Sequence, residues 1–155
     1  MSKLIVNSFE EFEKHIGQVI GISPYLKITQ KQIDTFAEST LDHQWIHTDP
    51  ERAAKESQFG TTIAHGYLTL SIVPYHWNQI IQVNNLKMMI NYGIENLRFN
   101  QPVKVNDEVR LHASLKSALN LRGTVKVEVI TTMEIKGNPK SAFTATIVFL
   151  YHFKN

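Results

Sequence analysis

The chain has 155 residues, of which 43% are hydrophobic and 19% charged, with a formal net charge of +2; that is the size and balance of one globular domain with a full core, not of a disordered chain. The charges are scattered, with no Lys/Arg run interleaved with aromatics, so nothing supports a nucleic-acid partner. With no cysteine, disulfides, thiolate metal sites and cysteine nucleophiles are excluded, leaving histidine and carboxylate as the catalytic chemistry available.

In chain order, the N-terminal "MSKLIVNSFEEFEKHIG" carries Glu10, Glu11 and Glu13 and lacks the apolar stretch of a signal peptide. Nowhere do about 18 apolar residues run uninterrupted, so a cytoplasmic protein with no membrane partner is expected. Ser8 as N-cap, with Phe9, Phe12 and Ile16 at helical spacing and Gly17 as a stop, predicts a short helix over 8–16. A strand is expected near 24–29. Thr29 then caps a second helix, which presents Ile33, Phe36 and Ala37 on one face and runs to about Ser39. It delivers the chain into "LDHQWIH" (41–47), read as a loop between helices. Thr48 with Glu51 three residues on forms a possible capping box, and Pro50 suits a first turn, so "TDPERAAKES" reads as a short helix.

After the loop "FGTTIAHG", apolar residues from Tyr67 to Ile81 surround nearly the whole helical circumference, which predicts one long central helix buried on most sides. The second half is β-rich: "GIENLRFNQPV", "DEVRLHASLKSA", "GTVKVEVITTMEI" and "SAFTATIVFLYHF" are separated by turn signals at Asn106-Asp107, Asn120 to Gly123 and Gly137-Asn138-Pro139. Val125, Val127 and Val129 alternate with Lys126 and Glu128, as in a half-buried strand. The expectation is an α+β fold in which a curved antiparallel sheet encloses the helix, with residues 1–155 as a single domain without repeat or linker.

Two segments carry candidate chemistry. Asp42 and His47 lie five residues apart and can converge on a small polar molecule such as water, since imidazole exchanges protons near neutral pH and a carboxylate can orient it. The alternative is that Asp42 caps a turn and His47 packs beneath the next helix. His43 and His47, with His65 or Asp49, could be imagined as metal ligands, although that spacing helps a metal site most clearly on a helix and this segment lacks a helix's apolar face. Trp45 beside Ile46 reads as a wall or core residue, with a stacking platform as the alternative. Arg98 and Lys104 could meet a phosphate-bearing ligand, or could be solvated charges. In "AHGYL", His65-Gly66 precede a helix whose first N–H groups could hold an oxyanion, and Gly66 would let a carbonyl approach closely; a plain tight turn explains the glycine equally well.

Taken together, "DHQWIH", "DPERA", "FGTTIAHGYLTLS" and "NYGIENLRFNQPVKVNDEVRL" resemble the MaoC-like dehydratase family, (R)-specific enoyl-CoA hydratases of hotdog fold, and within it the nodulation protein N-like branch. The resemblance covers roughly residues 15 to 150. It implies that Asp42 and His47 bind the water added to a trans-2-enoyl thioester, and that the Gly66 amide donates to the thioester oxygen. It further implies a coenzyme A thioester substrate, no metal or redox cofactor, and a homodimer. The commoner family pattern reads Gly-Asp-x-Asn-Pro-(aliphatic)-His; here Leu41 stands for the Gly, Gln44 for the Asn and Trp45 for the Pro. A hotdog acyl-CoA thioesterase and a non-catalytic acyl-thioester-binding module remain the alternatives to an enoyl-CoA hydratase or 3-hydroxyacyl-thioester dehydratase. His43 is expected to be replaceable.

Overall fold

The computed structural model describes residues 3–154. The first half of the chain forms β1 (Leu4–Val6), α1 (Phe9–Glu13), β2 (Val19–Ile22), β3 (Leu26–Lys27), α2 (Gln30–Thr40), α3 (Trp45–Thr48), α4 (Pro50–Glu56), α5 (Gly66–Ser71) and α6 (Val73–Ile80). The second half forms β4 (Ile81–Val83) and four long strands, β5 (Leu86–Phe99), β6 (Glu108–Leu121), β7 (Thr124–Ile135) and β8 (Phe143–Phe153). The main sheet is antiparallel in the order β2-β6-β7-β8-β5, with β3 also paired to β6. A separate parallel pair joins β1 to β4.

Two-residue periodicity builds the inner face of this sheet. Val109, Leu111, Ala113 and Leu115 of β6 and Val125, Val127 and Val129 of β7 are buried, while the residues between them point outward. Onto that face α6 lays Val73, His76, Trp77 and Ile80, a stripe at helical spacing. Trp77 stacks on Phe149 of β8 at 6.1 Å between centroids and donates its indole N–H to the Tyr151 hydroxyl at 2.6 Å. Burial of so large a ring, with its one polar atom satisfied, makes Trp77 a main anchor of helix to sheet; truncation to alanine is worth about 3–5 kcal/mol.

The predicted single helix over 66–81 is two helices, with the break at Ile72 (φ −85, ψ 0). The cause is Pro74, which has no N–H to offer the carbonyl of Leu70 and whose ring crowds that turn. Nor is the segment buried on most sides, since Tyr67 is 68% and Tyr75 50% exposed. Hydrophobic residues occur all round this helix, but the sheet covers only one side of it.

Smaller corrections follow the same local logic. The first helix shrinks to 9–13, and the strand expected near 24–29 reduces to two residues of β3. Three short strands, β1, β2 and β4, carried too few residues to show a period. β5 begins at Leu86, seven residues ahead of the predicted start at Gly93. Segment 41–47 is not all loop, because Trp45 opens the single turn of α3. α4 is capped by Asp49, whose carboxylate accepts from Arg52 N at 2.9 Å, and Pro50 holds the first position. Thr48 is not the cap; its hydroxyl donates back to the carbonyls of His43 and Gln44. The Thr29 cap is as expected, in a full capping box with Gln32. No helix among the described residues is long and apolar enough to cross a membrane.

Candidate active site

Two segments far apart in sequence are laced together beneath α2. Ile63 N–H donates to Ile46 O, Ala64 N–H to Val103 O and Val105 N–H to Thr62 O, so the strip 62–64 lies between the 45–48 turn and the approach to β6. Gln30, first residue of α2, fastens both sides: its amide N–H donates to His47 O at 2.7 Å, and its amide oxygen accepts from the Thr62 hydroxyl at 2.6 Å. His47 is thereby fixed in backbone position before any side-chain contact is counted.

Its ring is then fixed in orientation. His47 Nδ1 lies 2.7 Å from Ile63 O. A carbonyl only accepts, so Nδ1 carries the hydrogen and Nε2 keeps its lone pair. Burial pushes this imidazole below the ordinary histidine range; the Ile63 bond opposes that, the neighbouring His65 adds to it, and Asp42 offsets it. An imidazole so held is an unprotonated base at neutral pH.

His47 faces a cavity of about 480 Å³, which Asp42, His65, Gly66, Tyr67, Phe99 and Asn100 also line. Asp42, His47 and His65 each present a polar atom within 4.8 Å of the others. The rings of His47 and His65 stack at 3.8 Å with 24° between planes. His65 Nε2 donates to the backbone oxygen of Asp42 at 3.0 Å and lies 3.9 Å from its carboxylate. By distance these three groups could hold a metal ion; His65 Nε2 is taken up by the carbonyl it donates to and has no lone pair to give one.

Asp42 follows the left-handed end of α2, where Leu41 has φ +62. That is the conformation in which glycine is free of strain and leucine is not, which gives a physical reason for the glycine in the commoner pattern. Asp42 also accepts a long 3.4 Å bond from Gln44 N, so the turn-capping role is present alongside the cavity-facing one. Gly66 opens α5, ahead of the helical ladder, where N–H groups have no intrahelical acceptor. A Cβ on Gly66 would lie 3.0–3.2 Å from three atoms of the Phe99 ring; packing against Phe99 thus explains the glycine without any approaching carbonyl. With only six residues in α5, any help to an anion comes from these local N–H groups and little from a helix dipole.

The other candidates lie elsewhere. His43 is exposed and pairs with Glu38 at 3.5 Å. Asp49 is occupied as the α4 cap. Trp45 is half-buried beneath the Arg52 guanidinium, 4.4 Å from the ring centroid. Arg98 and Lys104 are exposed and do not line the cavity. The sequence offers His65 beside His47 only as an imagined metal ligand, and the structure does bring those two rings together; Phe99 is not legible as part of the site, being one aromatic in a strand rich in apolar residues.

Comparison with known proteins agrees with this architecture. Residues 11–137 match the family model described as the MaoC like domain. Over 136 residues the chain is 45% identical to 3-hydroxyacyl-thioester dehydratase Z of Mycobacterium tuberculosis, covering 87% of this chain and 89% of that protein. It is 38% identical over 149 residues to Nodulation protein N of Rhizobium leguminosarum bv. viciae, covering 94% and 92%. The solved structure of the (R)-hydratase from A. caviae involved in PHA biosynthesis superposes with a TM-score of 0.69 at 25% identity, covering 86% of this chain and 94% of that one. The chain belongs to the MaoC-like family, has its hotdog fold, and is an enzyme of the hydro-lyase class.

Proposed function

We propose that this MaoC-like protein is an (R)-specific enoyl-thioester hydratase, working reversibly as a 3-hydroxyacyl-thioester dehydratase, with Asp42 and His47 as its water-handling dyad and the Gly66 N–H as oxyanion donor. The observation that carries this reading is the tautomer of His47. Its Nδ1–H is spent on Ile63 O, so the bare Nε2 belongs to the cavity it shares with Asp42 and Gly66. In the hydration direction, water held by the Asp42 carboxylate gives a proton to His47 Nε2 as its oxygen bonds to C3 of the enoyl group. The C2–C3 π pair shifts toward the carbonyl, and the thioester oxygen takes the negative charge against the Gly66 N–H, an interaction typically worth about 3–4 kcal/mol. The imidazolium then returns the proton to C2, which balances the addition of one water. Family membership and the name of the relative 3-hydroxyacyl-thioester dehydratase Z support a 3-hydroxyacyl thioester as substrate, and our reading takes its thiol to be coenzyme A; the steps use no metal or redox cofactor.

The same reading includes a homodimer. β5 is an edge of the main sheet, 14 residues long, and leaves Met88, Ile90, Tyr92, Ile94 and Phe99 exposed. A long apolar edge is an aggregation hazard unless something covers it, and a second β5 would cover it symmetrically. Sedimentation or size-exclusion of the wild type and Ile90→Glu tests this: dimer and monomer are the expected species, and a fully active wild-type monomer would refute it.

Crotonyl-CoA decides the chemistry. The expected result is loss of enoyl absorbance without release of free thiol, abolished in Asp42→Asn and in His47→Ala. Thiol release would make the protein a thioesterase, and binding without turnover would make it an acyl-thioester module. Equal hydration by the wild type and both variants would remove the dyad.

A further inference from the structure

One buried side chain of this site takes no part in the hydration as written. His65 is 3% exposed, stacks on His47 at 3.8 Å and packs against Phe36 at 5.0 Å between centroids. Its Nδ1 is buried with no partner among the described residues. Such a group is costly to keep in an interior, and the ring would be replaced at little loss by an apolar one if packing were its only task.

What the ring does is join the two proton-handling residues. Asp42 comes from an exposed turn; its side chain is 55% exposed and, among the described residues, accepts only the long bond from Gln44 N. The firm contact on Asp42 is the 3.0 Å bond from His65 Nε2–H to its backbone oxygen. The same ring lies flat on His47, whose other restraint, the Ile63 bond, holds one edge but leaves the ring free to tilt about it. Loss of about 1 Å of alignment at a reacting centre can cost 10²-fold in rate.

We infer that His65 is the positioning residue of this site, holding the Asp42 carboxylate and the His47 imidazole at working distance through one hydrogen bond and one stacked face. The inference rests on the dyad reading above. The titratable groups that face His47 are His65 and Asp42; Ile63 contributes only its carbonyl and Phe36 no charge.

Two substitutions separate the two contacts. His65→Phe keeps a ring for His47 and loses the donor; His65→Gln keeps a donor that reaches Asp42 O and loses the ring. In full-length protein of wild-type fold by circular dichroism, the phenylalanine variant is expected to lose roughly 10- to 100-fold in kcat on crotonyl-CoA with KM within about twofold, and the glutamine variant to recover most of that loss. Ring NMR titration of His47, which needs no turnover, is expected to move upward in His65→Phe, because His65 is one of the groups that lower the His47 midpoint. Unchanged kcat in folded His65→Phe overturns the inference, and so does an equal rise of KM in both variants, which would make His65 a substrate contact. Wild type that fails to hydrate crotonyl-CoA removes the function reading instead; the His47 titration then decides, and an unmoved midpoint in His65→Phe overturns the positioning role too. If His65→Phe does not fold, His65→Asn, whose amide stops short of Asp42 O, takes its place with the same readouts.

Discussion

His47 and His76 are both buried histidines that burial pushes toward the unprotonated form, yet their surroundings differ. His47 shares a cavity with a carboxylate and keeps a nitrogen free toward it. His76 is sealed between α6 and the sheet, 0% exposed, with Nδ1 2.7 Å from the Ser23 hydroxyl and Nε2 without a partner among the described residues. Ser23 also accepts from Leu111 N–H and lies within reach of Pro24 O. The arrangement that satisfies most groups sends the serine hydrogen to Pro24 O, while Oγ accepts from Leu111 N–H and from His76 Nδ1–H. A Ser–His contact of good length is thus not a nucleophile here. It closes a polar knot in the core, and the lesson is that access of the free nitrogen, more than burial, separates a reactive histidine from a structural one.

The comparison breaks most visibly in activity. Exchanging His47 for Gln removes the proposed base and is expected to lower kcat/KM on crotonyl-CoA by roughly 10²- to 10⁴-fold, whereas His76→Leu should stay within a fewfold of wild type. A His76→Leu variant as dead as His47→Gln, at full folded fraction, would erase the distinction. The pH profile sharpens it. A base must be unprotonated to act, and burial lowers the His47 midpoint, so the acid limb should lie below the ordinary histidine value of about 6.5.

Stability should show the opposite pattern. His76 is pushed down to about 4 in the fold, against about 6.5 in the unfolded chain. Between those values the unfolded state binds the extra proton, so stability is full above about pH 6.5 and declines as pH falls toward 4, by up to about 3 kcal/mol. Denaturant midpoints measured from pH 7 to 4 should carry this slope in the wild type. They should lose most of it in His76→Leu, which leaves Ser23 its bonds to Pro24 O and Leu111 N–H. An equal slope in both proteins would place the acid sensitivity in other groups.

The same contrast marks what sequence could tell. The long strands β6 and β7 were readable from alternation, as at Val125, Val127 and Val129, and β8 from its run of β-branched and aromatic residues. The Thr29 cap and the α2 face were readable because capping is local. Helix continuity through Pro74 was misread because apolar residues on both sides of the break keep helical spacing whether or not the backbone does. Asp42, His47 and Gly66 could be nominated by residue type and resemblance, and they do line one cavity. His65 stacking on His47, and Phe99 over Gly66, depend on chain crossings that no local pattern encodes.

A smaller effect is expected at Leu41, where the site borders strained backbone and the His76 knot does not. With φ +62 and its side chain largely in solvent, leucine bears a conformational cost and makes little contact in return. Leu41→Gly should relieve about 1 kcal/mol of that cost, partly offset by the greater freedom of glycine in the unfolded chain. The expected outcome is a Tm raised by about 1–3 °C. A lower Tm would mean that leucine packs on something, such as a second subunit, that covers this surface.

The smallest effect is expected four positions from the base. His43 has the same residue type as His47 and sits in the same seven-residue stretch, but its ring lies outside the cavity and its partner, Glu38, is itself well exposed. Exposed pairs of this kind contribute little to stability. The contact that ties the turn here is made by the backbone oxygen of His43, which accepts from the Thr48 hydroxyl, and that bond survives removal of the side chain. His43→Ala should therefore keep kcat/KM within about twofold and Tm within about 2 °C of wild type. A tenfold loss of activity without loss of fold would put His43 on the proton path, and the site would then extend along the surface of the turn beyond the cavity wall.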